Sequence, residues 1–280
     1  MELSLPDMPS GMGGDARVRP QSSLAVTADG ETWTLINASP DLPQQIRQSQ
    51  LLHPRDRTRA SPIKAVLLTG AEIDQVAGLL SLREREPFLL CATAVTLAAL
   101  AENPIFAVLA PDIVTRKALV PAAPLVLPGG LQAQLFTVPG KLPLYLEGES
   151  PDTASETAAN VGVEIDAGHA RILYIPGAAA VTEAMMARMS GADVVFFDGT
   201  LFRDDEMITT GTGAKTGRRM GHMPIHGEAG SLAALERLAG RRIYVHINNT
   251  NPILVEGSPE RVQVERSGWE VAEDGMEIAL

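Results

Sequence analysis

Cysteine is nearly absent from this 280-residue chain, with Cys91 standing alone. An internal disulfide is therefore excluded, and so is a zinc knuckle built from several thiolates. Cys91 lies in the apolar run FLLCATAV, where the expected role is that of a small buried hydrophobe. Aromatic residues make up 4% of the chain, and the excess of acidic over basic residues leaves a net charge of -11. There is thus neither a stacking set nor a basic stripe for nucleic acid, and an acidic surface disfavours anionic membranes. No apolar run reaches the roughly 18 residues needed to cross a bilayer. The opening MELSLPDMPS lacks the basic start and apolar stretch of a secretory signal, so the expected location is cytoplasmic.

What remains is an ordinary globular composition, 45% hydrophobic, on a chain long enough to bury a large core. Residues 1–20 are rich in Gly, Pro and Met and read as a flexible leader; 21–280 read as one domain. SSLAVTA and TWTLINA flank Asp29-Gly30 and predict a hairpin. A short helix is expected over 42–50 and a charged loop over 53–59. KAVLLT predicts a buried strand, followed by a helix from Gln75 to Arg85 with Asp74 at its N-cap. Further strands are expected near Val108 and over 125–127, 131–138 and 142–146, with an exposed loop over 147–160. The segments 162–166 and 171–175 predict a second hairpin, 181–189 a helix and 193–197 an apolar strand. A charged, glycine-rich stretch over 203–228, a helix over 231–238 and a strand over 242–247 come next. A closing hairpin is expected from 263–265, 269–272 and 275–278. Hairpins interspersed with helices indicate an α/β sandwich rather than a doubly wound parallel sheet.

Polar groups at the ends of buried strands are where sites form in α/β folds. KAVLLT runs into Glu72 and Asp74, DVVFF into Asp198, and RRIYV into His246; His222 sits between glycine and methionine in a loop. Carboxylates with imidazoles are a donor set for zinc or non-heme iron. Each also has a plainer reading: Asp74 as a helix cap, Asp198 as the first residue of an Asp-Gly turn, His246 as a core histidine, His222 as a loop residue. His53 and His169 read as surface residues, and Pro224 prevents His222 and His226 from forming a helical metal pair. GTGAKTG, residues 211–217, fails as a phosphate loop because Ala214 stands where the glycine before the lysine belongs. It reads instead as a cationic loop, in which Lys215, Arg218 and Arg219 face an acidic ligand.

QSSLAVTADGETWTLINASPD, LLTGAEIDQVAGLLSLRE, VPGKLPLYLE, YIPG, GADVVFFDGTLFRDDEM, KTGRRMGHM, VHINNTNPIL and GWEVAEDGMEI, in this order from residue 17 to the end, resemble the coenzyme PQQ synthesis protein B family. The resemblance implies a metallo-β-lactamase-like αββα sandwich. It implies a part in pyrroloquinoline quinone (PQQ) biosynthesis, as an oxygen-using hydroxylase acting on the tyrosine of a Glu-Tyr precursor. The alternative it carries is a non-catalytic carrier that moves PQQ or its precursor toward the periplasm. Its partners would be the small-molecule precursor and other proteins of the PQQ pathway, and its metal Fe2+, or Zn2+ in its place.

Residue by residue, the fold family's HxHxDH motif falls on Gly70, Glu72, Asp74 and Gln75, and only Asp74 matches. Gln75 stands where a histidine ligand is expected, and an amide is a poor ligand for iron or zinc. The metal set implied is Asp74, Asp198, His222 and His246, with Asp198 as ligand or as an orienting group. Lys215, Arg218, Arg219, Asn248, Asn249 and Asn251 would bind the substrate. An ordinary two-zinc hydrolase fits worst, because both leading histidines are missing. The leader also lacks the family's opening strand and its closely spaced cysteines, so the sheet is expected to lack its usual first strand.

Overall fold

A computed structural model describes residues 19–54, 60–148 and 152–280. The expected flexible leader and the question of a missing first strand fall mostly on residues 1–18, which lie outside the described residues.

Two sheets are stacked face to face. The first has five strands in chain order: β1 (Leu24–Val26), β2 (Trp33–Ile36), β3 (Ile63–Leu67), β4 (Phe88–Thr93) and β5 (Val114–Leu119). The second holds β6 (Pro124–Val126), β7 (Gln132–Pro139), β8 (Glu156–Asp166), β9 (Arg171–Ile175), β10 (Val194–Asp198), β11 (Arg241–Val245) and β12 (Trp269–Val271), in the order β12-β11-β10-β9-β8-β7-β6. The Asp29-Gly30 hairpin forms as β1 against β2, and the second predicted hairpin as β8 against β9. From β2 to β5, and from β9 to β12, neighbouring strands run parallel.

The apolar runs KAVLL and VVFF are continuous because both faces of these strands are covered. In β10, Val194 and Phe196 point between the sheets, while Val195 and Phe197 point to the outer helices. In β3, Ala65 and Leu67 face inward, and Val66 packs outward with Leu42 and Leu100. Cys91 is fully buried between the sheets, as expected. Helices Leu42–Gln48 and Ala94–Glu102 cover the first sheet; Glu183–Met189 and Pro259–Arg266 cover the second. This is the αββα sandwich.

Several local expectations are corrected. The segments near Val108 and over 142–146 are 3-10 turns, Pro104–Val108 and Leu144–Leu146, entered from prolines that fix φ. Val114–Leu119, too polar to read as a strand, is the edge strand β5, where charged residues are tolerated because one side faces water. The loop expected over 147–160 contains the first half of β8. The closing hairpin does not form: Gln263 to Glu265 belong to the helix Pro259–Arg266, capped by Ser258, whose hydroxyl accepts the Arg261 N–H at 3.1 Å. The helix after Asp74 is one α turn, Ile73–Val76, continued as a 3-10 turn, Ala77–Leu82.

Candidate metal centre

Parallel β10 and β11 deliver two of the four predicted metal residues to the same edge. Asp198 is in register with Val245, so His246 follows at once beside it. The backbone of His246 is left-handed, with φ 55°, an uncommon conformation for a residue with a side chain. His222 arrives from the loop. The short helix Gly217–Met220 ends at Gly221, whose φ of 88° suits glycine, and the Met223 N–H is tied to the Ala178 carbonyl at 2.7 Å.

Asp198, His222 and His246 each offer a ligand atom within 4.8 Å of the others. Asp198 is wholly buried and accepts the Ala178 N–H at 2.9 Å and the Thr200 N–H at 3.0 Å. The His222 Nδ1 lies 2.7 Å from the other groups' anchor, Asp198 Oδ2, and the two imidazoles stack with centroids 5.2 Å apart. Thr200, which the sequence reading missed, holds the three together. Its hydroxyl donates to Asp198 Oδ1 at 2.6 Å and lies 3.1 Å from His222 Nδ1 and 2.8 Å from His246 Nδ1. The signal available was a hydroxyl two residues past a strand-ending carboxylate, a common local turn arrangement.

Asp74 reaches across from the first sheet, its Oδ2 2.6 Å from His246 Nε2. It is not the N-cap, as expected from the sequence; Glu72 occupies that position, one residue before Ile73. Burial works against a charged His246, but the hydrogen bond to Asp74 and the charges of Asp74 and Asp198 outweigh it and raise the imidazole to about 9. Burial likewise pushes the Asp198 carboxyl up, and the charge of His222 with its hydrogen bond brings it below the usual range.

The remaining positions of the HxHxDH window carry structure. A Cβ at Gly70 would lie 2.5 Å from Gln75 Oε1 and 3.2 Å from the Ala159 carbonyl, so the glutamine amide fills the place of a side chain there. Gln75 Oε1 also accepts the Glu72 N–H at 3.2 Å. Glu72 pairs with Lys141 at 2.9 Å. Two imidazoles and one buried carboxylate nevertheless fit a single divalent transition metal, since these donor types hold zinc and non-heme iron alike.

The predicted substrate residues are dispersed. Lys215 and Arg219 both meet Glu147 Oε1, at 3.0 and 2.6 Å. The Arg218 guanidinium donates to the Ala229 carbonyl at 3.0 Å. Asn248 donates to Thr250 Oγ1 at 2.9 Å, and Asn249 is exposed. Asn251 is buried; its amide donates to the Gly199 carbonyl at 2.8 Å and its oxygen caps the turn that follows, so it shapes the loop from within.

The Beta-lactamase superfamily domain matches residues 32–247. The coenzyme PQQ synthesis protein B of Methylorubrum extorquens AM1 is 52% identical over 270 residues, 95% of this chain and 90% of that protein. The protein of the same name from Rhizobium meliloti strain 1021 is 54% identical over 265 residues, 94% of this chain and 87% of its own. The crystal structure of Zn2+-bound PqqB from Methylobacterium extorquens matches with a TM-score of 0.93 at 52% identity, covering 95% of this chain and 89% of that one. The Bacillus subtilis metallo-beta-lactamase fold protein YhfI, with a TM-score of 0.66, 12% identity and coverage of 94% and 93%, shares the fold alone.

Proposed function

The chain belongs to the coenzyme PQQ synthesis protein B family, and on that footing we propose that it performs a metal-dependent oxidative hydroxylation of a tyrosine-bearing PQQ precursor. The observation that carries this reading is the convergence of Asp198, His222 and His246 within 4.8 Å. A set of two histidines and one carboxylate is the arrangement that leaves open positions on non-heme iron. Zn2+, named in the related crystal structure, has no redox chemistry of its own, so oxygen use favours Fe2+ as the working ion. When bound, Fe2+ would supply oxygen activation.

The residues of the chain do the rest. Asp198, His222 and His246 would hold the ion; in the metal-free chain Thr200 and Asp74 meet the two ring nitrogens of His246, and on binding one nitrogen goes to the ion while the partner on the other keeps the ring oriented. His246 carries a proton near neutral pH in the metal-free protein, so metal uptake releases that proton. Lys215 and Arg219 supply positive charge near the acidic part of the precursor, and Asn248 and Asn249 stand at the turn after His246, able to donate and accept. No helix among the described residues is long and apolar enough to cross a membrane, and the reading assigns the step to the cytoplasm.

The test is anaerobic loading with Fe2+, followed by air and a glutamyl-tyrosine precursor with an added reductant. The expected result is retained iron, oxygen uptake that depends on precursor, and a product heavier by one oxygen atom. Iron retained without any such product would overturn the hydroxylase. Tight precursor binding without turnover would support the carrier in its place.

A further inference from the structure

The segment after β9 ties several parts of the centre together. The Ala178 N–H bonds to Asp198, and the Ala178 carbonyl accepts the Met223 N–H beside His222. The carbonyl of the preceding Gly177 accepts the Asn160 amide at 3.1 Å. Asn160 comes from a bulge in β8. Pairing with β7 passes from Thr137↔Val161 directly to Val138↔Thr157, so residues 158–160 are extra on β8. Bulges of this kind re-aim side chains next to sites. Gly140 makes room for the re-aimed group, since a Cβ there would overlap Asn160 Nδ2.

The Asn160 amide has one favourable orientation. Its Nδ2 faces three carbonyls, Gly177 at 3.1 Å and Val138 and Pro139 at 3.4 Å. The reverse placement would set the oxygen against all three. Oδ1 is therefore turned away from them; it accepts no hydrogen bond among the described residues and is not sealed off from solvent. The point at which a Gly177 side chain would begin lies 3.4 Å from His222 Cε1 and 3.9 Å from Asn160 Oδ1. Those are ordinary contact distances, so the bare glycine leaves space for a ligand atom against both the ring and the oxygen.

We propose that Asn160 Oδ1 is the acceptor for the hydroxyl of a phenol-bearing ligand, and that Gly177 keeps open the space this hydroxyl enters beside His222. An amide oxygen accepts and cannot donate, so the ligand must bring the hydrogen, and a carboxylate would be repelled. Bare backbone on one side and an imidazole edge on the other suit a flat ring with its hydroxyl in plane better than a tetrahedral ammonium. Asn160 is thereby a specificity-determining residue. The inference rests on the function proposed above for the choice of a tyrosine-bearing ligand.

The experiment is isothermal titration of the full chain, loaded with Zn2+ so that no oxidation follows, with the dipeptides Glu-Tyr and Glu-Phe. These differ by the hydroxyl alone. The parent is expected to bind Glu-Tyr about tenfold more tightly, the scale of one hydrogen bond whose loss leaves the site's polar group unpaired. Gly177 is not left-handed, so G177A fills the space with a methyl group while keeping every bond of Asn160. It is expected to lose the preference for Glu-Tyr with its melting temperature and retained Zn2+ unchanged. N160L is expected to lose the preference as well; if it fails to fold, G177A decides alone. Equal affinity of the parent for the two peptides, or no binding of either, overturns the proposal, and so does a preference that survives in G177A. Equal weakening of both peptides in N160L would make Asn160 a brace for the bulge and overturn it too. A preference lost in G177A without any oxygen uptake by the iron-loaded parent supports the phenol site and overturns only the hydroxylase.

Discussion

The two sheets contribute unequally to the centre. The second sheet delivers Asp198 and His246 from adjacent strand ends, with His222 and Thr200 closing on them. The first sheet delivers a loop in which Gly70 has no side chain, Glu72 is paired with Lys141, and Gln75 is bonded to the Glu72 N–H. Asp74 of this loop reaches His246. One end therefore keeps donors suited to a metal, and the other has become a joint between loops. Asp198, His222 and His246 offer donors that could hold one ion, while at the places of a two-zinc hydrolase's first two histidines Gly70 lies against Gln75 and Glu72 pairs with Lys141.

The largest expected effect lies at the intact end. Asp198→Ala would leave the Ala178 and Thr200 N–H groups and the His222 ring facing a buried gap. Removing one member of a buried, hydrogen-bonded charge set costs about 3–5 kcal/mol. Chemical denaturation should show a loss of that order, and equilibrium dialysis against Fe2+ or Zn2+ should show no retained ion. A variant that stays fully stable and still binds metal would move the centre away from Asp198 and undo the contrast between the two ends.

How far the sequence made this visible also differs between the ends. Asp198 and His246 were legible because each terminates an apolar run, and parallel strands put such termini at one edge. The sandwich itself was legible from hairpins interspersed with helices, although the third of the expected hairpins does not form. Thr200 was not, because its role depends on three partners brought together by tertiary structure rather than on a pattern. Nor was the partnership of Glu147 with Lys215 and Arg219: those residues lie 68 and 72 positions apart in the chain, and the segment over 147–160 reads as plain polar loop. The helix Pro259–Arg266 was misread as a strand for a similar reason. Its apolar positions are few, and its N-terminal signal, Ser258 followed by Pro259, was outweighed by the β-favouring valines at 262 and 264.

Asp74 sharpens the contrast, since among the described residues it is the side chain of the first sheet's loop that bonds to a member of the centre. Its carboxylate meets His246 Nε2 at 2.6 Å, as an orienting partner does. Asp74→Asn keeps the shape and removes the charge that favours a protonated His246, so the imidazole should fall from about 9. Loss of an outer partner typically weakens metal affinity by about 10–100-fold. Titration against a competing chelator should give a loss in that range. A far greater loss would make Asp74 a ligand, and no loss would leave the first sheet with no part in the centre.

The smallest effect is the most discriminating. In Gln75→His, the imidazole cannot both fill the space against Gly70 and accept the Glu72 N–H as the amide does. Loss of such a helix-start contact costs about 0.5–2 kcal/mol. At this chain's size, each kcal/mol lowers the melting temperature by about 2–4 °C or less. Metal affinity should change by less than about tenfold, because the glutamine holds the loop rather than the ion. If affinity instead rises far beyond that while stability falls, the loop is a ligand-bearing half from which one donor has been removed, and restoring the histidine has reopened it. The sign of the two changes, read together on one variant, separates a loop rebuilt as a joint from a metal site left incomplete.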